Sequence, residues 1–256
     1  MEDWKLEPAR DLNLPLGKRL RSEKREGGLV GTLAQISART LVRIYLKLWH
    51  RVEHKGLENL PQQGPFVLSA NHCSHLDSVV MAAMLPWRLR KNTFPLAAGD
   101  VFFETPILTT LAAVVINALP MWRKNVGRHA LDDLRQRLVD HGASYILFPE
   151  GRRSEDGKIL TFKAGVGMLT AGTKAQVVPC YIQGAHEALA RSTFIPRFRK
   201  ITIFVGKPIP CEPFPNTREG WKALVHEVEK SIRSLGGLPP PMAATGEPPG
   251  APTQPA

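Results

Sequence analysis

Cysteine is scarce in this 256-residue sequence: Cys73, Cys180 and Cys211 are an odd number with no C-x-x-C pair. That argues against a disulfide framework and against a cysteine-built zinc site, and suits free thiols in a reducing compartment. Long hydrophobic runs are absent too. No stretch of about 18 strongly apolar residues occurs, and the opening MEDWKLEPARDLNLPLGKRLRSEKREGG lacks the apolar block of a secretory signal. Neither a membrane span nor export is expected, and the chain reads as intracellular. With 22% charged and 43% apolar residues it is not a mostly disordered protein and can bury a core.

Acidic charge is the minority, 23 Asp and Glu against 34 Lys and Arg, for a net charge of +11. Residues 1–27 nearly balance, with seven basic against six acidic side chains, and residues 236–256 hold only Glu247. The excess therefore lies in the middle of the chain, which favours polyanions: nucleic acid, an anionic membrane surface, an acidic carrier protein or phosphorylated substrates.

The ends look unlike the middle. Residues 1–27 mix charges densely and contain Pro8 and Pro15, so they read as a flexible charged arm. Residues 237–256 (GLPPPMAATGEPPGAPTQPA) read as a disordered, proline-rich tail. Between them, residues 30–50 predict a helix in which Arg39, Arg43, Lys47 and Arg51 fall within an arc of roughly 120°. Leu41, Val42, Ile44, Tyr45, Leu46, Leu48 and Trp49 fill the rest of the wheel. Two uses fit this pattern. The helix packs its apolar side on its own domain, or it lies in a membrane interface with its apolar side in the acyl boundary and its cations among head groups.

Strand-like and helix-like segments then alternate. Residues 65–70 (PFVLSA), 93–98, 144–149 (SYILFP), 176–181 (QVVPCY) and 200–206 (KITIFVG) predict strands. Residues 78–85, 131–141 and 218–235 predict helices. The alternation implies an α/β fold, a mostly parallel central sheet flanked by helices, with its site at the carboxyl ends of strands. Residues 105–122 (TPILTTLAAVVINALPMW) carry no charge but are interrupted by Pro106, Asn117 and Pro120. They read as a buried helix leading into a strand, with a re-entrant or monolayer-dipping segment as the alternative.

The richest segment is Asn71-His72-Cys73-Ser74-His75-Leu76-Asp77, directly after the PFVLSA strand. A histidine at a strand mouth, with an aspartate five residues on in the first helical turn, brings imidazole and carboxylate together. The Asp would fix the tautomer, leaving the other ring nitrogen to take a proton from a hydroxyl. Taken alone, Asp77 reads equally well as a helix-start residue satisfying backbone N–H groups. His72, His75 and Asp77 are also metal-ligand types in close succession. Against that use, His50, His54, His129, His141, His186 and His226 lie in no ligand-rich neighbourhood. A second constellation, Phe148-Pro149-Glu150-Gly151-Arg152-Arg153-Ser154, follows the SYILF strand. It offers a carboxylate, a turn glycine and two guanidiniums suited to a phosphate. Arg123 and Lys163 add charge after other predicted strands.

Together these segments resemble the 1-acyl-glycerol-3-phosphate acyltransferases of glycerolipid synthesis. Four blocks occur in order: NHCSHLD at 71–77 for N-H-x-S-x-x-D, NALPMWR at 117–123 for G-x-I-F-I-x-R, FPEGRRS at 148–154 for F-P-E-G-T-R-S, and VPCYI at 178–182 for V-P-x-x-I. The resemblance covers about residues 48–210 and, as an ordered set, is specific. It implies that His72 deprotonates an acceptor hydroxyl, which attacks the thioester of an acyl-CoA or acyl-carrier-protein donor, while Asp77 orients and charge-compensates His72. No covalent acyl-enzyme, cofactor or metal is implied. Asn71 and Ser74 would shape the turn, Arg123 and Arg153 would bind the acceptor phosphate, and Glu150 and Gly151 would form the turn that positions Arg153.

Three departures bear on the acceptor. Arg152 stands where the family has Thr, Asn117 where it has Gly, with Trp122, large enough to alter the acceptor pocket, at the variable position before Arg123, and Ala98-Gly99-Asp100-Val101 where many relatives have a Lys-rich segment. The first adds a cation that could reach the phosphate, and the last removes one. The resemblance also tips residues 28–50 toward a membrane-docking helix, ahead of an acyltransferase domain at 51–236. The expected partners are a lysophospholipid, an acyl thioester, a membrane surface and, where the donor is carrier-bound, an acyl carrier protein, but no nucleic acid. The expected place is the cytoplasmic face of a membrane, held peripherally or monotopically. The alternatives are another lysophospholipid or lipid alcohol as acceptor, or a non-catalytic membrane-binding protein that keeps the fold.

Overall fold

The structure, a computed structural model, describes residues 28–98, 119–121, 128–193 and 195–241. The arm at 1–27, most of the proline-rich tail, the greater part of 105–122, and Asp100, Asn117, Trp122 and Arg123 lie outside the described residues.

The central strand explains the sheet. Residues Phe66–Ala70 (β2) are buried at every position, as a strand covered on both faces must be. Phe66, Leu68 and Ala70 join one apolar cluster, and Val67 joins another across the sheet. Around it the strands run β1 (Glu53–Lys55), β7 (Thr202–Val205), β6 (Gln176–Gln183), β2, β5 (Ser144–Leu147), β3 (Thr93–Ala98) and β4 (Leu119–Met121), with β8 (Ile209–Pro210) beside β6. β2 is parallel to β5 and β6, β3 to β5 and β4, and β1 to β7. β6 meets β7 and β8 in antiparallel register. The mostly parallel α/β sheet expected from the alternation is present.

The helices are α1 (Gly28–Trp49), α2 (Asp77–Met84), α3 (Trp87–Arg90), α4 (Arg128–Asp140), α5 (Gly165–Thr170), α6 (Ala185–Ala188) and α7 (Arg218–Leu235). One apolar cluster joins β2 to Leu46 of α1 and to Val80 and Met81 of α2. The other joins Val67 and Tyr145 to Val166 and Leu169 of α5 and to Leu224, Val228 and Ile232 of α7. Thr217 starts α7 by accepting a hydrogen bond from the Gly220 N–H. The three cysteines are free and buried, and burial pushes each thiol pKa up.

α1 corrects the sequence reading. That reading set Arg39, Arg43, Lys47 and Arg51 together on a face toward head groups. Arg39 instead turns inward: it is 7% exposed, with its guanidinium 5.3 Å from the Trp87 ring centroid. The tip of Arg43 also points to the domain, its Nε donating to Ala83 O at 2.9 Å and its Nη2 to Leu85 O at 2.7 Å. The reason is local. The carbonyls at the end of α2 lack helical partners where Pro86 stops the chain, and that end carries partial negative charge, so a guanidinium caps it. Leu41, Ile44, Leu48 and Trp49 are left exposed on the other side. Among the described residues no helix is long and apolar enough to cross a membrane.

Candidate active site

β2 ends at Ala70, and residues 71–76 form a tight turn into α2, whose first residue is Asp77. The turn is closed by Asp77 itself. Its Oδ2 accepts from the backbone N–H groups of Cys73 and Ser74, each at 2.7 Å, and faces His72 Nδ1 at 2.8 Å. One buried oxygen thus orients the imidazole and satisfies two N–H groups of the turn before α2, not those of the helix itself. A carboxylate at Nδ1 places the ring proton there and leaves Nε2 as the lone-pair nitrogen. Among the described residues Nε2 makes no hydrogen bond, and the His72 side chain is 20% exposed. Its ring stacks on Phe148, centroids 4.2 Å apart and planes 17° off parallel.

The other residues of this block hold the turn. The Asn71 side chain donates to Ile182 O at 3.0 Å and accepts from Ile182 N at 2.7 Å, tying the turn to β6. Ser74 Oγ donates to Leu189 O at 2.7 Å and accepts from Leu76 N at 3.0 Å.

The second block comes to the first. The Glu150 carboxylate accepts from His72 N at 2.7 Å and from Leu160 N at 2.9 Å, and Ser154 N donates to His72 O at 2.9 Å. Both backbone groups of His72 are therefore held by the loop at 149–154. Burial pushes the Glu150 pKa up to about 7, helped by the Asp77 charge and opposed by the N–H groups of Leu160 and His72 and by Arg233. Gly151 turns the loop at φ +70°, and a Cβ there would meet Lys163 Nζ at 3.0 Å, so the glycine lets that ammonium lie over the turn.

Arg153 Nη1 contacts both ring nitrogens of His75, and His75 Nε2 also reaches Arg191 O at 3.1 Å. Burial first, and the Arg153 charge among lesser causes, lower the His75 pKa, which suits a neutral ring accepting from the guanidinium. Arg152 is exposed. His72 and His75 thus face different partners, and among the described residues no group of three or more His, Cys, Asp and Glu is placed to hold a metal. Of the expected site residues, Asn71, His72, Ser74, Asp77, Glu150, Gly151, Arg152 and Arg153 come together on two hydrogen-bonded loops, while Arg123 lies outside the described residues. Sequence reasoning gave no role to Phe148, whose stacking has no sequence signal. Nor did it give one to His75 as the neighbour of Arg153.

The geometry is a hydrogen-bonded His–Asp pair at the carboxyl end of a parallel strand, flanked by a basic turn. A family model described as Acyltransferase matches residues 51–183, and the chain belongs to that family. It is 30% identical over 175 residues to a chloroplastic 1-acyl-sn-glycerol-3-phosphate acyltransferase of Arabidopsis thaliana, over 64% of this chain and 47% of that protein. It is 26% identical to human 1-acyl-sn-glycerol-3-phosphate acyltransferase alpha, over 72% of this chain and 63% of that one. It thus spans about half the length of the first and under two thirds of the second. In fold it resembles the 1-acyl-sn-glycerophosphate acyltransferase PlsC of Thermotoga maritima, with a TM-score of 0.63, 23% identity and 83% of each chain covered.

Proposed function

We propose that this chain transfers a fatty acyl group from an acyl thioester, acyl-CoA or acyl-carrier protein, to the free hydroxyl of 1-acyl-glycerol-3-phosphate, giving phosphatidic acid. The observation that carries this reading is His72, with Nδ1 on Asp77, Nε2 unengaged among the described residues, and its backbone clamped by the loop that bears Arg152 and Arg153. The names of the relatives point to the acceptor.

In this reading His72 Nε2 takes the hydroxyl proton as the acceptor oxygen attacks the thioester carbonyl carbon. The tetrahedral intermediate collapses with cleavage of the C–S bond, and the imidazolium returns the proton to the departing thiolate. Asp77 stabilises the transient imidazolium and keeps the ring oriented. The acyl group never bonds to the protein, so no second nucleophile is required. Arg153, seated by His75, and Arg123 pair with the acceptor phosphate, with Arg152 as an added cation at the turn. α1 holds the chain on the cytoplasmic face of a membrane, peripherally or monotopically, through its exposed apolar side.

Turnover of labelled acyl-CoA with a panel of acceptors tests the substrate. Lysophosphatidate should outperform lysophosphatidylglycerol and lysophosphatidylethanolamine, and equal rates would make the acceptor another lysophospholipid. His72→Ala should lower kcat by about 100-fold or more while leaving liposome binding intact. Near-wild-type turnover in that variant would sink the mechanism, and no turnover in the wild type with any acceptor and either donor would favour a non-catalytic membrane-binding protein.

A further inference from the structure

The segment at residues 195–200, between α6 and β7, leaves Ile195 80% and Phe198 51% exposed, with Arg197 and Arg199 exposed between and after them. Phe198 is not a stray apolar side chain. Its ring meets Trp49, the last residue of α1, edge-to-face at 5.6 Å, and the Arg51 guanidinium lies 4.8 Å from its centroid. The exposed apolar side of α1, with Leu41, Leu48 and Trp49, therefore continues onto Phe198 without a polar break at that contact. Two hydrogen bonds lock the join: His50 Nδ1 lies 3.2 Å from Arg199 O, and Ile201 N donates to His50 O at 3.0 Å.

The same segment is linked to the turn at 71–76 through Ala188 and Leu189. Arg197 N donates to Ala188 O at 2.7 Å, and the next residue, Leu189, accepts from Ser74 Oγ at 2.7 Å and from His75 N at 3.4 Å. Alternating apolar and guanidinium side chains suit a lipid interface, where rings and aliphatics sit below the head groups and cations sit among the phosphates. Among the described residues no acidic side chain pairs with Arg51, Arg197 or Arg199, so their charge is available to an anionic surface.

We propose that residues 195–200 are a second membrane-inserting element, which seats Ile195 and Phe198 in the acyl region of an anionic bilayer and Arg197 and Arg199 at its phosphates. This rests on the membrane reading of α1 and adds a second point of contact. Because the segment is bonded to Ala188, and the neighbouring Leu189 to the turn that holds His72 and Asp77, its insertion fixes the height and tilt of that pair over the bilayer, where an acceptor with one buried acyl chain must present its hydroxyl.

The test is sedimentation of the full chain with vesicles of phosphatidylcholine alone and of phosphatidylcholine with phosphatidylglycerol. Ile195→Ser/Phe198→Ser should weaken partitioning to both compositions by about tenfold or more. Arg197→Gln/Arg199→Gln should weaken it by about tenfold on the anionic vesicles only. Turnover with short-chain, monomeric donor and acceptor should be unchanged in both variants. If Leu48→Ser on α1 releases the protein but the Ile195/Phe198 variant binds as wild type does, the proposal falls and the α1 reading stands. If neither change alters binding, the membrane reading itself falls. Loss of turnover on monomeric substrates in the Ile195/Phe198 variant would assign the segment to site geometry and overturn the proposal. So would a raised KM for an acyl-carrier-protein donor in the Arg197/Arg199 variant with vesicle binding unchanged.

Discussion

Glu150→Gln separates two forces that oppose each other on one buried carboxyl. Glu150 is 2% exposed and accepts two backbone N–H groups, yet burial prevails and its pKa rises from 4.5 to about 7. At about 1.4 kcal/mol per pKa unit, that rise corresponds to about 3 kcal/mol against the ionised form in the folded state. The folded carboxyl holds its proton more tightly than the unfolded one. Its contribution to stability is therefore fully present below the unfolded pKa of 4.5 and is lost as pH rises through about 7. Glutamine is neutral throughout, so it lacks this slope. Its NH2 must face the N–H of either His72 or Leu160, which adds a pH-independent cost of about 1–3 kcal/mol. The unfolding free energy of the wild type minus that of the variant should fall by about 2–3 kcal/mol between pH 5 and pH 8, or about 5–10 °C in Tm for a chain of this size. Urea unfolding of both proteins across that range, followed by tryptophan fluorescence, measures it. A difference that stays flat with pH would mean that the N–H donors at least balance desolvation, so that the Glu150 pKa is not raised.

Arg43→Met should lower the unfolding free energy by about 1–3 kcal/mol, since it removes both caps on the end of α2. Lys47→Met, at an exposed position, should change it by less than about 0.5 kcal/mol, and equal Tm shifts for the two would show that the caps contribute nothing. Gly184 has φ +84° and an ideal Cβ there would stand 2.2 Å from Lys200 O, so Gly184→Ala should destabilise by about 2 kcal/mol or more in thermal unfolding. An unchanged Tm would contradict that close approach. The three thiols should resist an aromatic disulfide reagent in the folded protein and react fully in denaturant, because burial holds each above its ordinary pKa. Rapid labelling of Cys73 before unfolding would mean that the turn at residues 71–76 opens.

Strands β2, β3, β5 and β6 were readable because each is a short apolar run, and β2 is apolar enough to be buried on both faces. β1 was not, since Glu53, His54 and Lys55 are all exposed and owe their strand form to pairing with β7. The antiparallel direction of β7 was not readable either. It follows from the connection after β6, in which α6 spans only Ala185–Ala188 before the chain returns. At the site, the spacing from His72 to Asp77 sufficed, because five residues carry the chain from a strand mouth into one helical turn. Asn71 and Ser74 could be assigned to the turn but not to their anchors. Ile182 and Leu189 are more than a hundred residues away, and only the placement of β6 beside β2 brings them near. The clamp of Glu150 on the backbone of His72 has the same origin, in the pairing of β2 with β5.

α1 shows where periodicity stops being informative. The pattern of Arg39, Arg43 and Lys47 against Leu41, Ile44 and Leu48 says which residues share a face and leaves open which face meets the domain. Burying the apolar side would be the ordinary outcome for a surface helix. Here the neighbouring surface decides otherwise, because the α2 carbonyls of Ala83 and Leu85 and the ring of Trp87 present acceptors and π density where a cation is favoured. Leu46 and Val42 share that side and supply its apolar packing. The consequence is energetic. Leu41, Ile44, Leu48 and Trp49 are each about half exposed or more, and at about 1.5–3 kcal/mol for full burial of each such side chain they leave several kcal/mol available to an apolar phase. On the proposed membrane reading of α1, the exposed Leu41, Ile44, Leu48 and Trp49 are the side chains that would meet lipid. The cations that this reading leaves for head groups are then Lys47 and Arg51, not Arg39 and Arg43.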